Sequence, residues 1–456
     1  MFPPFPQERA FEDCKCMLSE LADNSLRIEK ASETESERSC PGVMLGSLAC
    51  KDKDGRELFL RCLLGTSRIL RPRVAEDGRH IYIDGEGVTA QRIADALSKN
   101  DAEIHALTAA INALKQDRET EASEEEKALA ARRKLLTTES LVNVHKLYSF
   151  HCADGSVRTL QDICRERLGN ALPPTGTGDC CAPKLLDYAF AHGFEIQSLC
   201  EVFYYITPPA GSVPEPTPCP PCDERCGIIL PALLGIEILY RDTDILVVNK
   251  QSGLLSVPGR GPDKQDCIVN RVRRLFPDCI AQPAVHRLDM ETSGLLVLAF
   301  TREAHRELCR QFEAGEVQKQ YVALADGILA KKGIAEQGTM ELYFRLDVEN
   351  RPHQIWDSVH GKKAITEWQI LDVERYHAPD GTVRHASRVL FTPHTGRTHQ
   401  LRLASADAHG FGIPIIGDTL YGSCAEGERL MLHAQSLSFH HPATGEKMDF
   451  FCPSRF

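Results

Sequence analysis

Short apolar runs separated by turn residues organise the chain beyond residue 235. Residues 295–299 are Leu-Leu-Val-Leu-Ala, and an unbroken run of this kind predicts a strand buried on both faces. Residues 236–240 and 245–250 flank an Asp-Thr-Asp segment and predict strand, turn and strand. Many short strands with few helices favour an α+β domain around a mixed, mainly antiparallel sheet. The other predicted elements are strands at 320–324 and 388–391 and a helix from its N-cap Thr301 to Phe312.

Residues 1–99 predict a small α+β region whose role the sequence leaves open. Apolar runs at 43–50 and 57–62 flank a polar segment that contains Asp54-Gly55, an arrangement typical of a β-hairpin. Residues 88–99 then have the pattern of a helix.

Two more regions precede the strand-rich domain. Residues 100–141 are strongly charged and helical in pattern, which predicts a solvated helical hairpin or a short coiled coil, with a partner-binding helix as the alternative. Residues 142–230 form a small cysteine-rich region that ends in a proline-rich linker at 212–221. The strand-rich domain is therefore expected to occupy 236–456.

Negative charge is concentrated in the first half of the chain. The 456 residues carry a net charge of -11, and the segment from Ile236 onward has 26 Lys and Arg against 28 Asp and Glu, so 27 against 36 remain for the first 235 residues. This balance argues against a protein that coats nucleic acid by bulk attraction. A nucleic-acid site in the second half would have to be a local basic patch.

The chain has no membrane or export signal that its residue pattern reveals. No apolar run approaches the roughly 18 residues that a membrane span needs, and the first residues lack the basic and apolar segments of an export signal. The chain is therefore expected to be soluble and cytoplasmic, where thiols stay reduced. Its 18 cysteines then predict small buried side chains rather than a disulfide framework.

One group of cysteines has the spacing of soft metal ligands, namely Cys219, Cys222 and Cys226. Two prolines interrupt this CxxC, and the chain has no second clean CxxC. We therefore predict no bound metal, and a tetrahedral zinc site stays an open alternative. The candidates for its fourth ligand are Cys180, Cys181 and His192.

The most informative polar segment precedes the apolar run 295–299. It reads His-Arg-Leu-Asp at 286–289, followed by Thr-Ser-Gly at 292–294. A basic pair, a carboxylate and a turn before a buried strand are typical of a reactive group held by a rigid support at the mouth of a sheet. On the physics alone, an Arg/Asp pair two residues apart is more often a surface or turn contact.

The chain resembles the RluA family of RNA pseudouridine synthases in five ordered segments, and residues 286–294 match that family's catalytic motif. Because five segments in order are far more specific than one, the resemblance implies an RNA pseudouridine synthase, an isomerase that needs no cofactor. It also implies the fold predicted above for 236–456. The further segments are Lys-Gln-Tyr-Val-Ala at 319–323, Thr-Gly-Arg-Thr-His-Gln-Leu-Arg at 395–402, Pro-Ile-Ile-Gly-Asp at 414–418 with Tyr-Gly at 421–422, and Leu-His-Ala at 432–434 with His-Pro at 441–442.

The resemblance assigns catalytic roles to three residues. Asp289 matches the catalytic carboxylate, which stabilises the ribose 1′ carbon, attacks it, or removes the neighbouring 2′ proton, and the sequence leaves these three roles open. Tyr321 matches an active-site tyrosine that stacks on the base, and Arg397 supplies a cation for the carboxylate. Arg287 resembles an arginine that fills the space left by a uridine flipped out of its stem. The residues expected to contact RNA are Arg287, Lys250, Arg260, Lys319 and Arg402.

The RNA substrate is indicated less directly. Residues 254–260 and 350–354 are similar to the subgroup that acts on both 23S rRNA and tRNA, whose stem-loops share a shape that a protein can bind. The path between Arg402 and Pro414 departs from the family pattern, and the acidic first half of the chain would repel RNA phosphates. The alternative function is a non-catalytic RNA-binding or ribosome-assembly factor on the same scaffold.

Overall fold

The computed structural model describes residues 5–29, 42–65, 68–70, 78–84, 87–116, 123–169, 171–206, 215–222 and 224–456. The chain divides into two compact units, Met1–Gly235 and Ile236–Phe456. Parts of the predicted linker 212–221 and of the charged segment 100–141 lie outside the described residues. Within the described ranges, no helix is long and apolar enough to cross a membrane.

Helices and short strands alternate irregularly in the first unit. Its described helices are Glu8–Ala22, Ala90–Gln116, Glu124–His145, Leu160–Leu168, Cys181–His192 and Cys226–Leu234. Its described strands are β1 (Arg27–Glu29), β2 (Gly42–Lys51), β3 (Glu57–Leu63), β4 (Arg68–Leu70), β5 (His80–Tyr82), β6 (Ser149–His151), β7 (Val157–Thr159) and β8 (Glu195–Tyr205).

A four-stranded sheet of order β5-β3-β2-β8 holds the first unit together. β2 and β3 form the predicted antiparallel hairpin, and Gly55 in its turn has a positive φ of 78° that a side chain would disfavour. β2 also pairs along its whole length with β8. Strand pairing therefore joins residues of the region 1–99 to residues of the region 142–230, which the sequence pattern had treated separately.

The two long helices of the first unit form a hairpin. Asn100 Nδ2 donates to Ser140 Oγ at 3.2 Å, and Arg132 Nε donates to Glu103 Oε1 at 2.9 Å, so each helix contacts the other at two levels. The Ser123 side chain caps the second helix by accepting from the Glu126 N–H. The predicted helical hairpin is confirmed for the described residues, although the first helix is longer than the predicted 88–99.

Strands predominate in the second unit. Its helices are Ile268–Leu275, Arg302–Ala314 and Gln400–Ala406, with 3₁₀ turns at Pro262–Lys264 and Leu329–Lys332. Its strands are β9 (Glu237–Arg241), β10 (Ile245–Lys250), β11 (Ser293–Ala299), β12 (Gln318–Ala325), β13 (Gln337–Leu346), β14 (Gln354–Trp356), β15 (Lys362–His377), β16 (Val383–Pro393), β17 (Leu432–His440) and β18 (Lys447–Phe451).

These ten strands form one sheet of order β14-β13-β15-β16-β12-β17-β11-β10-β9, with β18 paired to β17. β11 and β17 pair in parallel, and the other strand pairs of this sheet are antiparallel. The predicted mixed, mainly antiparallel sheet is therefore confirmed. Thr301 also caps the helix Arg302–Ala314 as predicted, since its Oγ1 accepts from the Ala304 N–H at 3.1 Å.

The centre of this sheet supports the segment 286–292. Every residue of β11 is buried, which agrees with the predicted two-sided burial of 295–299. Gly294 at its start has φ of 116°, and a Cβ there would lie 2.3 Å from the Ala434 carbonyl oxygen of β17. Only glycine permits this close approach of the two strands. The turn that carries Asp289 therefore starts from a tightly fixed point.

Candidate active site

A cleft of about 570 Å³ lies in the second unit beside the turn that precedes β11. It brings together residues from four separate stretches of the chain, which is what a site of specific chemistry requires. The lining includes six of the predicted site residues, namely Arg287, Asp289, Lys319, Tyr321, Arg397 and Arg402. Lys250 and Arg260 do not line it.

Hydrogen bonds from the loop after β10 fix the backbone on both sides of Asp289. Ser256 Oγ lies 2.7 Å from the Leu288 carbonyl oxygen and 3.0 Å from the Leu288 N–H, so it acts as donor to one and acceptor to the other. The Gly253 N–H donates to the Met290 carbonyl at 2.9 Å. The Asp289 side chain is 23% exposed and projects into the cleft from this fixed turn.

Lys250 is a structural residue rather than an RNA contact, which corrects the prediction from sequence. Its side chain is completely buried. Nζ donates to the carbonyl oxygens of Gln251, Leu254 and Met290 at 2.9, 2.7 and 2.9 Å, which uses all three donors of an ammonium group. Burial lowers the pKa of Lys250 to about 7, and the nearby Asp289 charge opposes this effect. No donor remains for a phosphate.

Arg402 is likewise buried and cannot contact phosphate in this structure, which corrects a second prediction. Its Nε donates to Asp418 Oδ2 at 2.8 Å and its Nη2 donates to Asp418 Oδ1, and both side chains are almost fully buried. The same Asp418 oxygen accepts the N–H groups of Leu420 and Tyr421 at 3.0 Å. Burial lowers the pKa of Arg402, but the Asp418 carboxylate outweighs burial and the pKa is raised, with a further contribution from Asp289.

The predicted ion pair between Arg397 and Asp289 is not formed in the part of the chain that the structure describes. Arg397 is exposed at the cleft, and its Nε donates to the Lys363 carbonyl at 3.0 Å. The group that reaches Asp289 is His399, whose Nε2 lies 3.9 Å from Asp289 Oδ2. Its side chain is only 7% exposed.

A hydrogen-bonded chain sets the orientation and tautomer of His399. Tyr421 Oη accepts the Gln354 N–H at 2.8 Å and lies 2.6 Å from His399 Nδ1. The approach of Nε2 to the Asp289 carboxylate at 3.9 Å favours the tautomer with the imidazole proton on Nε2, and in this tautomer Tyr421 Oη donates to Nδ1. Burial lowers the pKa of His399, so the neutral ring is favoured despite the opposing charge of Asp289.

Sequence reasoning did not assign a role to His399 or to Tyr421, although both lie in segments that match the family. The two residues are 22 positions apart, and nothing in their spacing indicates contact. The one available signal was the presence of a histidine and a tyrosine in the matching segments 395–402 and 421–422.

Tyr321 lies in the middle of the sheet, at the floor of the cleft. It pairs with Phe391 of β16 on one side and with Ala434 of β17 on the other. Burial raises the pKa of its hydroxyl, and the Asp289 charge raises it further, so the phenol stays protonated. A neutral tyrosine here offers a flat ring and one donor beside the carboxylate.

A half-buried histidine, His286, and a buried one, His433, hold the backbone of the site. His286 Nε2 accepts the Val297 N–H at 3.1 Å, and its ring stacks on Phe312 with centroids 4.6 Å apart. Burial lowers the pKa of His286 to about 3, so it is a neutral acceptor. His433 bonds to Ser293 Oγ through Nδ1 and to the Cys452 carbonyl through Nε2, both at 2.9 Å. These contacts couple the turn to β11 and β17.

The mouth of the cleft is basic. Arg287 is exposed there, and within the described residues its side chain forms no hydrogen bond or ion pair. Lys319 is half-buried in the cleft wall, and burial lowers its pKa. Arg260 is exposed outside the cleft, and among the described residues its side chain is also unpaired. Arg287 and Lys319 therefore form the local basic patch of this cleft, in a unit whose net charge is slightly negative.

Comparison with known proteins shows the class of protein that has such a site. The family model described as RNA pseudouridylate synthase matches residues 244–407. The Dual-specificity RNA pseudouridine synthase RluA of Yersinia pestis is 43% identical over 222 residues, which is 48% of this chain and 99% of that protein. The protein of the same name from Escherichia coli K12 is 43% identical over 224 residues, 48% of this chain and 94% of that protein.

A solved structure is similar as well, that of Human RNA Pseudouridylate Synthase Domain Containing 1. It has 30% sequence identity and a TM-score of 0.39, and the match covers 48% of this chain and 84% of that chain. Together the sequence matches define an RNA pseudouridine synthase, which is an isomerase. The chain belongs to the RluA family of these enzymes.

Proposed function

We propose that this enzyme isomerises specific uridines in stem-loops of 23S rRNA and tRNA, with Asp289 as the catalytic carboxylate. The observation that carries the proposal is the position of Asp289 in a cleft between Tyr321 and His399, with the unpaired Arg287 at its mouth. The two RluA proteins compared above are named dual-specificity enzymes, which supports more than one RNA as substrate. Such substrates agree with the expected cytoplasmic location, which stays a prediction.

The reaction rearranges one nucleotide without any net gain or loss of atoms. The bond from the ribose 1′ carbon to uracil N1 breaks, the base turns in the cleft, and a bond from the 1′ carbon to C5 forms. C5 then loses its proton and N1 gains one. The cleavage makes the sugar electron-poor, as in glycoside hydrolysis, so an ionised Asp289 beside it can stabilise the 1′ carbon, attack it, or remove the neighbouring 2′ proton.

The groups around Asp289 fit separate tasks in this reaction. Tyr321 has a neutral ring on which uracil can stack and a hydroxyl that can assist the transfer of the C5 proton. His399 directs its Nε2–H at Asp289 and is a positioning residue, because it acts through the carboxylate. Among the described residues, the Arg397 side chain bonds only to the Lys363 carbonyl, so it can turn toward a phosphate or toward Asp289 when RNA is bound.

Asp289→Asn tests the catalytic assignment. Pseudouridine formation on a transcribed stem-loop should fall by about 10³-fold or more, since the amide carries no charge, while the RNA dissociation constant stays nearly constant. Asp278→Asn is the control, because Asp278 is also an aspartate in a loop of this unit but is exposed and lies outside the cleft. Full activity of Asp289→Asn would remove the assignment. RNA binding without any modification by the unmutated chain would favour the non-catalytic alternative.

Arg287 is assigned to base flipping, because a uridine within a stem must leave its stack before it can reach a partly buried carboxylate. Arg287→Ala should therefore slow modification of a structured stem-loop much more than that of a short unstructured oligonucleotide. Arg260→Ala is the matched control, since Arg260 is exposed and, among the described residues, unpaired, but lies outside the cleft. This variant should slow the modification of both substrates to a similar extent. Equal losses on both substrates for Arg287→Ala would contradict the flipping role.

A further inference from the structure

Three thiols of the first unit converge on one point. The Sγ atoms of Cys180, Cys222 and Cys226 all lie within 4.8 Å of one another. Cys180 and Cys226 are buried, and Cys222 is exposed at the edge of the group. The sequence pattern favoured no bound metal, and its open alternative was a zinc site of Cys219, Cys222 and Cys226 with Cys180, Cys181 or His192 as the fourth ligand.

The fold selects among those candidates. Cys181 Sγ points away from the cluster, toward the carbonyls of Met44 and Cys62 at 3.7 and 4.0 Å. His192 stacks on Tyr188 and uses Nδ1 on the Tyr188 carbonyl. These two residues are therefore already committed to the packing of their own helix and of the sheet.

Cys219 is excluded too, although it belongs to the CxxC sequence. Its Sγ contacts the Thr217 carbonyl at 3.7 Å, and its N–H donates to the Glu201 carbonyl at 2.8 Å. The adjacent Pro218 forms a bridge to Val202 of β8, so this segment runs along the sheet edge. Cys219 is a neighbour of the cluster in sequence but is not a member of it.

Two of the three thiols lie at the N-terminus of a helix. Cys180 is the N-cap of the helix Cys181–His192, and Cys226 is the first residue of the helix Cys226–Leu234. The Gly227 N–H donates to the Cys222 carbonyl at 3.2 Å, which folds the Cys222 loop back onto the start of the second helix. The starts of these two helices therefore meet at the cluster.

A single soft cation fits this group better than a disulfide does. In a tetrahedral zinc site with Zn–S bonds of about 2.3 Å, the sulfurs lie about 3.8 Å apart, which agrees with three sulfurs within 4.8 Å. A disulfide would join two of them and leave the third thiol without a role in the cluster. The cation would also neutralise charge at a place where three thiolates otherwise repel one another.

A buried carboxylate next to the cluster points to the same conclusion. Glu201 of β8 is 7% exposed, and its Oε1 accepts the Ala182 N–H at 2.6 Å, in the first turn of the helix that Cys180 caps. Within the described residues, Glu201 forms no ion pair. A buried carboxylate without a cation is costly, and a bound divalent ion would supply the missing charge.

We propose that Cys180, Cys222 and Cys226 bind a structural zinc ion, with a water in the fourth position. The ion ties the helix Cys181–His192 to the segment that leads into the helix Cys226–Leu234. The proposed zinc site takes no part in the reaction proposed at Asp289, which lies in the other unit.

The test is the metal content of the full chain, purified from zinc-supplemented cells without chelator and without a polyhistidine tag. Inductively coupled plasma mass spectrometry should find about one zinc ion per chain. Cys222→Ser should lose the zinc, and because Cys222 is exposed this variant should keep its helix content. Cys219→Ser is the matched control, a thiol three residues away that lies outside the cluster, and it should keep the zinc.

Cobalt provides a second readout that does not depend on activity. The chain without zinc should take up Co²⁺ and show the intense visible bands of tetrahedral coordination together with a sulfur-to-cobalt charge-transfer band, and Cys222→Ser should show neither. The proposal is overturned if the full chain binds neither zinc nor cobalt, or if Cys222→Ser keeps its zinc. An intact mass two hydrogens lower, with a disulfide mapped between two of the three cysteines, overturns it as well.

Discussion

Removal of the Arg402 guanidinium distinguishes a buried structural cation from an RNA contact. In Arg402→Met, the side chain keeps much of its volume but no longer pairs with Asp418, which is completely buried. Loss of one partner from a buried ion pair leaves the other charge uncompensated, at a cost of about 3 to 5 kcal/mol. Asp418 keeps the N–H groups of Leu420 and Tyr421, so the lower end of that range is expected.

Tryptophan fluorescence during urea denaturation measures this loss of stability in the second unit, which contains Arg402. The chain has two tryptophans, Trp356 and Trp368, and both lie in the unit Ile236–Phe456, so the signal reports that unit alone. The midpoint should fall for Arg402→Met with an unchanged slope against urea. A double variant with Asp418→Leu should recover part of the loss, because it also removes the unpaired charge.

Arg310→Met is the matched control. Arg310 contacts the carboxylates of Glu307 and Glu316 in the same unit, but its side chain is 52% exposed. Water already solvates those charges, so the transition should scarcely move. A structural role for Arg402 is refuted if Arg402→Met unfolds at the same urea concentration as the unmutated chain and loses RNA affinity instead. A phosphate contact would also reduce the slope of log affinity against log salt concentration by about 1.

Two further changes test the support of the site. Gly294→Ala should destabilise the second unit by about 2 to 4 kcal/mol, because its Cβ would meet the Ala434 backbone at a positive φ. Gly445→Ala is the control, since Gly445 also has a positive φ but has open space around it, and it should cost about 1 kcal/mol. Equal costs of the two changes in urea denaturation would contradict a close contact at Gly294. The pKa of Lys250 is lowered to about 7 in the folded state, so between pH 7 and the ordinary lysine pKa of about 10.4 the unfolded chain holds a proton that the folded chain lacks. Stability should therefore rise with pH across this window in the unmutated chain and less so in Lys250→Met, and identical slopes in the two proteins would contradict the buried position of Lys250.

Local pattern was sufficient for five of the ten strands of the second unit and for one of its three helices. The strands β9, β10, β11, β12 and β16 lie where short apolar runs predicted them, because burial against a sheet leaves a direct mark on residue type. The pairing of β2 with β8, about 150 residues apart, leaves no such mark. Two strands with similar apolar patterns do not identify each other as partners.

The polar residues of the site were harder to predict because the type of a residue does not determine whether its side chain is buried. Lys250 and Arg402 were predicted to contact RNA because they are positively charged residues in stretches that resemble the family, but residue type gives no sign that a given lysine or arginine is buried. Their actual partners are three carbonyls of a loop and Asp418, 16 residues away, and only the folded chain brings these together. The contact of His399 with Asp289 depends in the same way on the distant Tyr421.

The most direct test of catalysis by Asp289 is a map of pseudouridines in total RNA. Cells that lack this protein are compared with the same cells that produce either the unmutated chain or Asp289→Asn at equal level. Pseudouridines in large-subunit rRNA and in tRNA anticodon stem-loops should disappear in the deletion, return with the unmutated chain, and stay absent with Asp289→Asn. Their return with Asp289→Asn would contradict catalysis by this carboxylate.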